Sequence, residues 1–448
     1  WEAAQKALSK GELRFEATSQ LTFEVLKGSD VAAASLPLVS DAEAIDFATH
    51  AAAIERDRRT GRVSPYNGRI DAPALRDWIA EKLGEDYVWS PTQLEHYAKC
   101  PWAWFSQRLL RLEHLDDPDI DIDPIARGSI LHDAMKRFYE LAQTKQQGPA
   151  FLRNDDMAWI PRFLEQVLEE AIAAAGPSAW LGIPALRRTK RDELLRMLRR
   201  FVDWEIEHNE DMFNRRKRAS GILRTGVVEH ELAFGMPTER SYDVAELMRD
   251  GVTFRVRGSV DRVERGIDER VPAEEREDFI AAVDYKTSKW SAPGGGDRKA
   301  WDDGVVLQVP LYAHVLERLR PGTRVARVEY RAFKQTGVQH SLELYRIEKK
   351  TGLTEQADAV GKMETALDDA GRHVARARTG EFPAHPAPSC ACPPFCHAWD
   401  VCRVAMGPKS GMEASRDPEW KEKAAAIRGG AAVGTDEHAG PDGEEADG

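Results

Sequence analysis

Nine residues decide the fold, and they read Phe279-Ile280-Ala281-Ala282-Val283-Asp284-Tyr285-Lys286-Thr287. The apolar first half predicts a buried β-strand, because short runs of β-branched and aromatic residues bounded by turn residues are typical of strands. Side chains alternate along a strand, so Asp284 and Lys286 share one face while Tyr285 points to the other. The strand therefore carries an acid and a cation together to the edge of an apolar core.

A second carboxylate precedes this strand. The segment Gly258-Ser259-Val260-Asp261-Arg262 predicts an earlier strand, and the Glu- and Arg-rich stretch between the two can serve as the connecting loop. Hydrolysis of a phosphodiester needs a divalent cation to neutralise charge, and Mg²⁺ prefers carboxylate oxygens. Taken alone, a strand-end Asp beside a Lys is more often a surface ion pair. A single histidine such as His132 more often caps or packs a helix.

Alternating strands and helices predict an α/β protein with a mixed central β-sheet flanked by helices. A capping box that begins at Ser90 predicts a helix running to about Cys100. A second helix is expected to open at Gly128-Ser129, with an apolar stripe at helical spacing. The remaining expected elements are a helical insertion at 159–208 broken near Gly176 and Gly182, strands at 227–234, 252–257, 279–283 and 325–333, and helices at 307–319 and 353–377.

The order of four motifs carries more weight than any one of them. They are Gly128-Ser129-Ile130-Leu131-His132, Gly258-Ser259-Val260-Asp261, Asp284-Tyr285-Lys286, and Gln308 with Tyr312 four residues later. Over about Trp89 to Val404 this order resembles the nuclease domain of the RecB and AddB helicase-nuclease family, a branch of the PD-(D/E)xK superfamily. The resemblance implies a restriction-endonuclease-like core that carries a helical insertion.

The resemblance also implies a role for each motif residue. The residues that match the family's ligands for Mg²⁺ or Mn²⁺ are His132, Asp261, Asp284 and the backbone carbonyl of Tyr285. Lys286 would orient the attacking water or stabilise charge. Gln308 and Tyr312 match the final motif, which lies against the site and the DNA. The second acid is Asp284, where the wider superfamily more commonly has Glu.

The five cysteines are Cys100, Cys390, Cys392, Cys396 and Cys402. Four of them crowd a Pro-rich stretch, which favours metal binding over disulfides. By spacing alone these four could hold zinc and leave Cys100 apart. The resemblance implies instead a [4Fe-4S] cluster bound by Cys100, Cys396, Cys402 and one of Cys392 and Cys390. Cys392 is favoured over Cys390 because it is closer to the family's C-x-x-C-x5-C register.

The aromatic and basic residues leave two interpretations open. Trp102, Trp104 and Phe105 could stack on the bases of a single strand, but core packing is favoured. Basic runs at 187–191, 199–200 and 215–218 could contact DNA or form solvated helix faces. The formal net charge of −12 does not exclude DNA, because residues 411–448 hold ten acids and four bases and account for half of it.

The chain divides into three expected regions. Residues 1–88 form an N-terminal region of unclear role, which we expect to be truncated from a larger upstream part because the chain begins at Trp1. Residues 89–408 form the nuclease domain, and 409–448 an acidic tail whose composition predicts disorder. No apolar run approaches the roughly eighteen residues of a membrane span, so we expect a cytoplasmic protein without membrane contact.

The resemblance implies a magnesium-dependent DNA exonuclease that cuts the 5'-terminated single strand, within a helicase-nuclease that processes double-strand breaks for recombinational repair. The cysteine arrangement favours an AddB-like protein, and the resemblance then implies an AddA-like helicase-nuclease as partner. The sequence contains no GxxxxGK[ST] loop, so we expect ATP hydrolysis to come from an upstream part or from another subunit. Two alternatives remain open. A stand-alone CRISPR-associated exonuclease with the same cluster fits the long insertion poorly, and a non-catalytic DNA-end-binding scaffold fits the intact Asp261, Asp284 and Lys286 poorly.

Overall fold

The computed structural model describes most of the central part of the chain. The described residues are 50, 54, 63–112, 124–176, 184–214, 221–296, 299–348, 352–384, 387, 392, 396 and 402. Most of the expected N-terminal region and the whole expected acidic tail lie outside them, as does the basic run at 215–218. Within this described part, no helix has both the length and the apolarity that crossing a membrane requires.

The helices of the described residues are numbered in chain order. They are α1 Pro73–Lys82, α2 Pro91–Lys99, α3 Pro101–Arg108, α4 Pro124–Gln146, α5 Ile160–Ala175, α6 Pro184–Asn214, α7 Ala273–Arg276, α8 Lys299–Asp302, α9 Gln308–Leu319 and α10 Ala357–Arg378. The predicted capping box is present at α2, where Ser90 Oγ accepts the Gln93 N–H and the Gln93 side chain accepts the Ser90 N–H.

The strands of the described residues are numbered in the same way. They are β1 Val88–Trp89, β2 Gly221–Ile222, β3 Thr225–Phe234, β4 Ser241–Tyr242, β5 Ala245–Arg249, β6 Val252–Val256, β7 Gly258–Gly266, β8 Phe279–Ser288, β9 Arg324–Lys334, β10 Gly337–Glu343, β11 Tyr345–Glu348 and β12 Gly352–Glu355. They form a six-stranded sheet in the order β10-β9-β8-β7-β3-β4, and two three-stranded sheets, β1-β6-β5 and β12-β11-β2.

The six-stranded sheet is mixed, as the sequence predicts. Strands β7 and β8 pair antiparallel, whereas β8 and β9 pair parallel and place Asp284 opposite Tyr330. Period-two alternation along β8 sends Ile280 and Ala282 into a core with α2, α3, α9 and α10, and Val283 and Tyr285 into a core with α4, α5 and α6. Helices therefore cover both faces, and the predicted α/β class is confirmed.

Two expected elements need correction. The described residues of α4 are helical from Pro124 onward, four residues before the expected start at Gly128. The helix expected from residue 353 begins only at Ala357, because Gly352–Glu355 pairs antiparallel with β11 instead. The strand expected at 252–257 is present as β6, and it pairs with β1 and β5 in a separate three-stranded sheet.

The aromatic residues after Cys100 belong to the core. Trp104 is fully buried, Phe105 is 9% exposed, and Trp102 packs against the same cluster. Phe105 stacks on Phe382 with ring centroids 4.5 Å apart. Core packing is therefore confirmed, and base stacking on Trp104 and Phe105 is wrong because their rings do not reach the surface.

Two of the basic side chains on α6 face acids on α5. Arg191 pairs with Glu169 at 2.5 Å, and Arg199 pairs with Glu165. These arginines are at least partly neutralised within the insertion itself. The solvated-helix interpretation therefore fits the α6 basic runs better than DNA contact does.

Candidate active site

The structure brings all seven motif residues to one cleft of about 520 Å³. They are His132, Asp261, Asp284, Tyr285, Lys286, Gln308 and Tyr312. The cleft opens at the end of the central sheet where β7 and β8 stop pairing, between α4 on one face and α9 on the other. Residues nearly two hundred positions apart in the sequence thus meet around one space.

The two acids come from neighbouring strands. The regular pairing of β7 with β8 ends at Arg262 opposite Val283, one residue short of both carboxylates. Beyond that point Asp261 Oδ2 accepts the backbone N–H of Tyr285 at 2.7 Å, in place of a backbone carbonyl. One side-chain hydrogen bond therefore fixes the spacing of the two strands at the cleft.

Asp284 and Lys286 lie on the same face of β8, as alternation predicts. Asp284 Oδ2 lies 2.6 Å from Lys286 Nζ. The Gln308 side chain joins both groups, because its Nε2 donates to Asp284 Oδ1 at 2.8 Å and its Oε1 accepts from Lys286 Nζ at 2.8 Å. The first residue of α9 thus holds the acid and the cation in one geometry.

Tyr312 extends this set by one turn of α9. Its hydroxyl accepts from Gln308 Nε2 at 2.9 Å and donates to the Ser259 backbone carbonyl at 2.8 Å. Ser259 lies two residues before Asp261 on β7. The Gln308 and Tyr312 pair therefore connects α9 to both acid-bearing strands.

His132 enters from α4 on the other face. Its Nδ1 lies 3.4 Å from Asp261 Oδ1, and its ring packs edge-on against Tyr285. Burial lowers the pKa of His132, but the nearby Asp261 and Asp284 carboxylates outweigh burial and the net direction is upward. The imidazole is therefore held against the carboxylates.

The pKa values of the two acids move in opposite directions. Burial, opposed by Lys286 and reinforced by the like charge of Asp261, raises the pKa of Asp284 to about 6. Burial also acts to raise the pKa of Asp261, but His132 and the Tyr285 N–H outweigh it and the net direction is downward. Paired carboxylates with separated pKa values are typical of functional sites.

Lys286 stays a cation. Burial lowers its pKa, but the charges of Asp284 and Glu95 outweigh burial, so the net direction is upward. Its ammonium also lies 4.5 Å from the centre of the Tyr330 ring. The buried acid is thus matched by a permanent positive charge.

The donor set fits a hard divalent cation, which takes carboxylate oxygens and keeps several waters. Asp284 Oδ2 has no well-directed hydrogen-bond donor among the described residues, so one buried carboxylate oxygen has ligand capacity left. Among the same residues, no three His, Cys, Asp or Glu side chains are close enough to make a complete metal cage by themselves. The carboxylates therefore suit an open site more than a closed protein cage.

Cys100 lies at the opposite end of α2 from the cleft. It joins α2 to α3, and the Ala387 N–H donates to the Lys99 carbonyl at 2.8 Å, which brings Ala387 beside the end of α2. Burial, then neighbouring Cys402 and Cys396, raise the pKa of the Cys392 thiol to about 12. These three thiols are therefore near neighbours, while Cys390 lies outside the described residues.

Sequence reasoning missed Glu95, which contacts the start of α9, and Trp290, which follows β8. Glu95 on α2 is only 3% exposed and contacts the start of α9. Trp290 has 71% of its surface exposed, and Lys289 Nζ lies 4.5 Å from its ring centre, directly after β8. An acid at an apolar helix position and an aromatic residue just after the motif strand were the available signals.

The chain belongs to the PD-(D/E)XK nuclease superfamily, because the sequence model of that family matches residues 88–403. The predicted superfamily and the nuclease class are thereby confirmed. The mixed sheet with helices on both faces agrees with the restriction-endonuclease-like core that the sequence predicts.

Within that superfamily, the chain is similar to several curated proteins that are each named as a subunit of an ATP-dependent helicase/deoxyribonuclease. It is 26% identical to the one from Enterococcus faecalis over 213 residues, which cover 47% of this chain and 16% of that protein. The one from Caldanaerobacter subterraneus is 26% identical over 223 residues, covering 50% and 17%. The one from Acetivibrio thermocellus is 27% identical over 256 residues, covering 54% and 19%. The matched segments thus span less than a fifth of each relative.

Proposed function

We propose that this chain hydrolyses DNA phosphodiester bonds with Mg²⁺ or Mn²⁺ as cofactor. The observation that carries the proposal is the meeting of two acids, an imidazole and a cation from three elements in one cleft. The proposed ligands are His132, Asp261, Asp284 and the backbone carbonyl of Tyr285. The cation would neutralise charge on the phosphate and lower the pKa of a water molecule.

The chain's own residues supply orientation and positive charge. Because the pKa of Lys286 is raised, its ammonium would stabilise negative charge on the phosphate and would not act as a base. Gln308 bonds both Asp284 and Lys286, so it would keep the acid available and the cation aimed at the phosphate. Tyr312 would support Gln308 through its hydroxyl.

The substrate we propose is single-stranded DNA, cut as an exonuclease from the 5'-terminated strand. The names of the relatives support a helicase-linked deoxyribonuclease. An AddA-like helicase-nuclease would then be the partner, in recombinational repair of double-strand breaks in the cytoplasm. Membership of the PD-(D/E)XK nuclease superfamily supports the phosphodiester chemistry.

Trp290 offers a surface for single-stranded substrate. It lies four residues after Lys286 in the sequence, a span of at most about 14 Å even when extended. A mostly exposed indole with a lysine ammonium over it can stack on a base and attract the neighbouring phosphate. Unlike Trp104 and Phe105, which pack in the core, Trp290 is available to stack on DNA.

For the cysteines we propose a [4Fe-4S] cluster held by Cys100, Cys392, Cys396 and Cys402. Cys396 and Cys402 lie close enough to raise the pKa of the Cys392 thiol, which supports this ligand set. The hydrogen bond between residue 387 and Lys99 also supports it. The described side chains do not form a complete metal cage. The proposal therefore requires the four thiols to move closer to one another when the cluster binds. The cluster's role would be to join the two ends of the nuclease domain.

A nuclease assay tests the function. Degradation of 5'-labelled linear single-stranded DNA is measured with Mg²⁺, with Mn²⁺ and with chelator, for the wild type, Asp284→Asn and Lys286→Met. We expect metal-dependent degradation that falls by about 1,000-fold in both variants, since each removes charge that the transition state needs. Equal activity in wild type and Asp284→Asn would contradict the proposal. Matched 3'-labelled substrate reports the polarity.

The stacking surface is tested by the affinity for an oligothymidylate, measured by fluorescence anisotropy in Ca²⁺. Trp290→Ala should weaken binding about tenfold, because one stacked base contributes about 1–3 kcal/mol. Trp290→Phe should restore most of it. Met248→Ala is the matched control, since Met248 is also 71% exposed but lies on β5, in a different sheet from the strand that carries Lys286. Unchanged binding in Trp290→Ala would exclude the stacking role.

The cluster is tested by anaerobic purification. We expect brown protein that absorbs at about 400 nm and loses its colour in Cys100→Ser. Comparison of Cys392→Ser with Cys390→Ser identifies the fourth ligand. Colourless protein with stoichiometric zinc would reject the iron-sulfur assignment.

A further inference from the structure

Glu95 makes an unusual set of hydrogen bonds for a buried acid. A single oxygen, Oε1, accepts the backbone N–H of Leu307 at 3.0 Å, the backbone N–H of Gln308 at 2.9 Å and the Tyr330 hydroxyl at 2.8 Å. The residue is 3% exposed. Burial of a carboxylate costs desolvation free energy, which hydrogen-bond donors must offset. The three donors to Glu95 therefore indicate what the residue does.

Two of the three donors, the backbone N–H groups of Leu307 and Gln308, belong to the start of α9, which cannot cap itself. Its N-cap residue is Leu307, which has no side-chain acceptor and makes no side-chain cap bond. The third helical residue, Pro310, has no N–H to satisfy. A helix start still leaves backbone N–H groups and a partial positive charge, and an anion there is favourable. Glu95 thus provides from α2 the cap that the sequence of α9 lacks.

The capped residue is the one that orders the active site. Gln308 is the first residue of α9, and its side chain bonds both Asp284 and Lys286 at 2.8 Å. Its backbone N–H is held by Glu95. A shift of the Glu95 carboxylate would therefore move Gln308 away from the acid and the cation together.

Helix α2 is itself anchored at both ends. Its start is fixed by the Ser90 capping box, and Ser90 and Thr92 line the cleft. Its last residue, Lys99, accepts the Ala387 N–H, and Cys100 follows directly. Glu95 lies midway between these anchors, so its acceptor atom is held by the fold and not by a flexible loop.

We propose that Glu95 is a positioning residue for the nuclease reaction, which sets the place of Gln308 by capping α9 and does not touch the substrate. The proposal rests on the proposed function. The positioning role depends on where Oε1 lies, because all three donors converge on that one oxygen, whereas the charge of Glu95 acts separately on Lys286. Two conservative substitutions separate these possibilities.

Glu95→Gln keeps an acceptor oxygen in place and removes the charge. Glu95→Asp keeps the charge and withdraws the oxygen by one methylene. We expect kcat on single-stranded DNA to stay within about threefold of wild type in Glu95→Gln, and to fall about 100-fold in Glu95→Asp, because a displacement of about 1 Å in a positioned group can cost that much. KM should change little in either variant, since Glu95 is buried away from the DNA.

A double-mutant cycle with Gln308→Ala tests the route of action. If Glu95 acts through Gln308, then Glu95→Asp combined with Gln308→Ala should be within about twofold of Gln308→Ala alone. If the loss of kcat in the double variant equals the product of the losses in the two single variants, the proposal is overturned. Full activity in Glu95→Asp would also overturn it, as would a loss in Glu95→Gln equal to that in Glu95→Asp.

Asp268 supplies the matched control for stability. It is also fully buried and accepts a backbone N–H, that of Arg224 at 2.9 Å, but it lies on the loop between β7 and α7, outside the residues that line the cleft. Asp268→Asn should lower Tm and leave kcat of the folded protein unchanged. A kcat loss in Asp268→Asn as large as that in Glu95→Asp would assign the effect to general destabilisation. Wild type that degrades no DNA would refute the proposed function instead.

Discussion

The central sheet buries two groups of charged residues that lie next to each other and behave in opposite ways. One is the cleft with Asp261, Asp284 and Lys286. The other we call the buried ion network, and its members are Glu205, Arg262, Glu264, Arg327, Glu329 and Arg331. Asp261 and Arg262 are adjacent in the sequence, so one peptide unit separates the groups.

The buried ion network is balanced in charge. It has three arginines and three glutamates, each less than 5% exposed. Arg262 Nη1 lies 2.8 Å from Glu205 Oε1, and Arg331 Nε donates to Glu329 Oε1 at 2.7 Å. Although burial acts the other way, Arg262 and Arg331 bring the pKa of Glu264 down to about 2. These charges join α6 to the sheet and neutralise one another.

The cleft is unbalanced and open. There burial raises the pKa of Asp284 to about 6, against the effect of Lys286. One carboxylate oxygen lacks a well-directed donor among the described residues. The difference shows that burial of charge does not by itself mark a functional site. The mark is a buried acid whose partners leave it partly unsatisfied beside an opening.

The largest effect should come from breaking the buried ion network. Arg331→Met leaves Glu205 and Glu329 without one of their cations, and we expect the free energy of unfolding in urea to fall by about 3–5 kcal/mol. kcat of the folded protein should not change, because Arg331 lies outside the residues that line the cleft. Arg69→Met is the control: the pair with Asp71 is 44% and 41% exposed, and we expect a loss below about 1 kcal/mol. Similar losses in both variants would show that the network contributes little.

The cleft was more predictable from sequence than the network. Period-two alternation fixed which face Asp284 and Lys286 share, and the resemblance linked them to His132, Asp261, Gln308 and Tyr312. Alternation also directs Arg327, Glu329 and Arg331 to one face of β9. Nothing local in the sequence of β9 indicates that Glu205, on a helix more than a hundred residues earlier, would neutralise them.

Glu95 was missed for a similar physical reason. Its partners are backbone groups of Leu307 and Gln308, and backbone donors leave no signature in residue type. Strand β12 was missed because its pairing with β11 is a tertiary contact that overrides the helical pattern from residue 353 onward. Local periodicity thus predicted elements and faces, whereas long-range partners came only from the structure.

A smaller effect of opposite sign is expected in the cleft. There, removal of a buried charge should raise the free energy of unfolding, whereas in the buried ion network it should lower it. In metal-free protein at pH 8, Asp284→Asn should raise the free energy of unfolding by about 1–2 kcal/mol, because it removes a charge that the fold disfavours. The pKa of Asp284 is higher in the fold, about 6, than its ordinary value of 3.8. Its proton is therefore bound more tightly in the folded state, and the gain in Asp284→Asn should shrink as pH falls below about 6. A variant less stable than wild type at pH 8 would show that the ion pair with Lys286 dominates.

The smallest effect concerns a histidine beside the buried ion network. Burial, aided by Arg331, lowers the pKa of His208 to about 4 from 6.5, and its ring stacks on Trp204. The unfolded chain takes up the proton first as pH falls, so neutral His208 contributes stability above about pH 6.5 that is lost as pH falls toward 4. Between pH 7 and 5 the wild type should therefore lose about 1 kcal/mol more than His208→Phe, which keeps the stacked ring and removes the titration. Parallel pH profiles of unfolding free energy for the two proteins would show that His208 is not held neutral. As pH falls, protonation of His208 should therefore destabilise the fold beside the buried ion network, whereas protonation of Asp284 should remove an unfavourable buried charge from the cleft. The opposite pH dependence of unfolding free energy distinguishes the structural cluster of charges from the cleft.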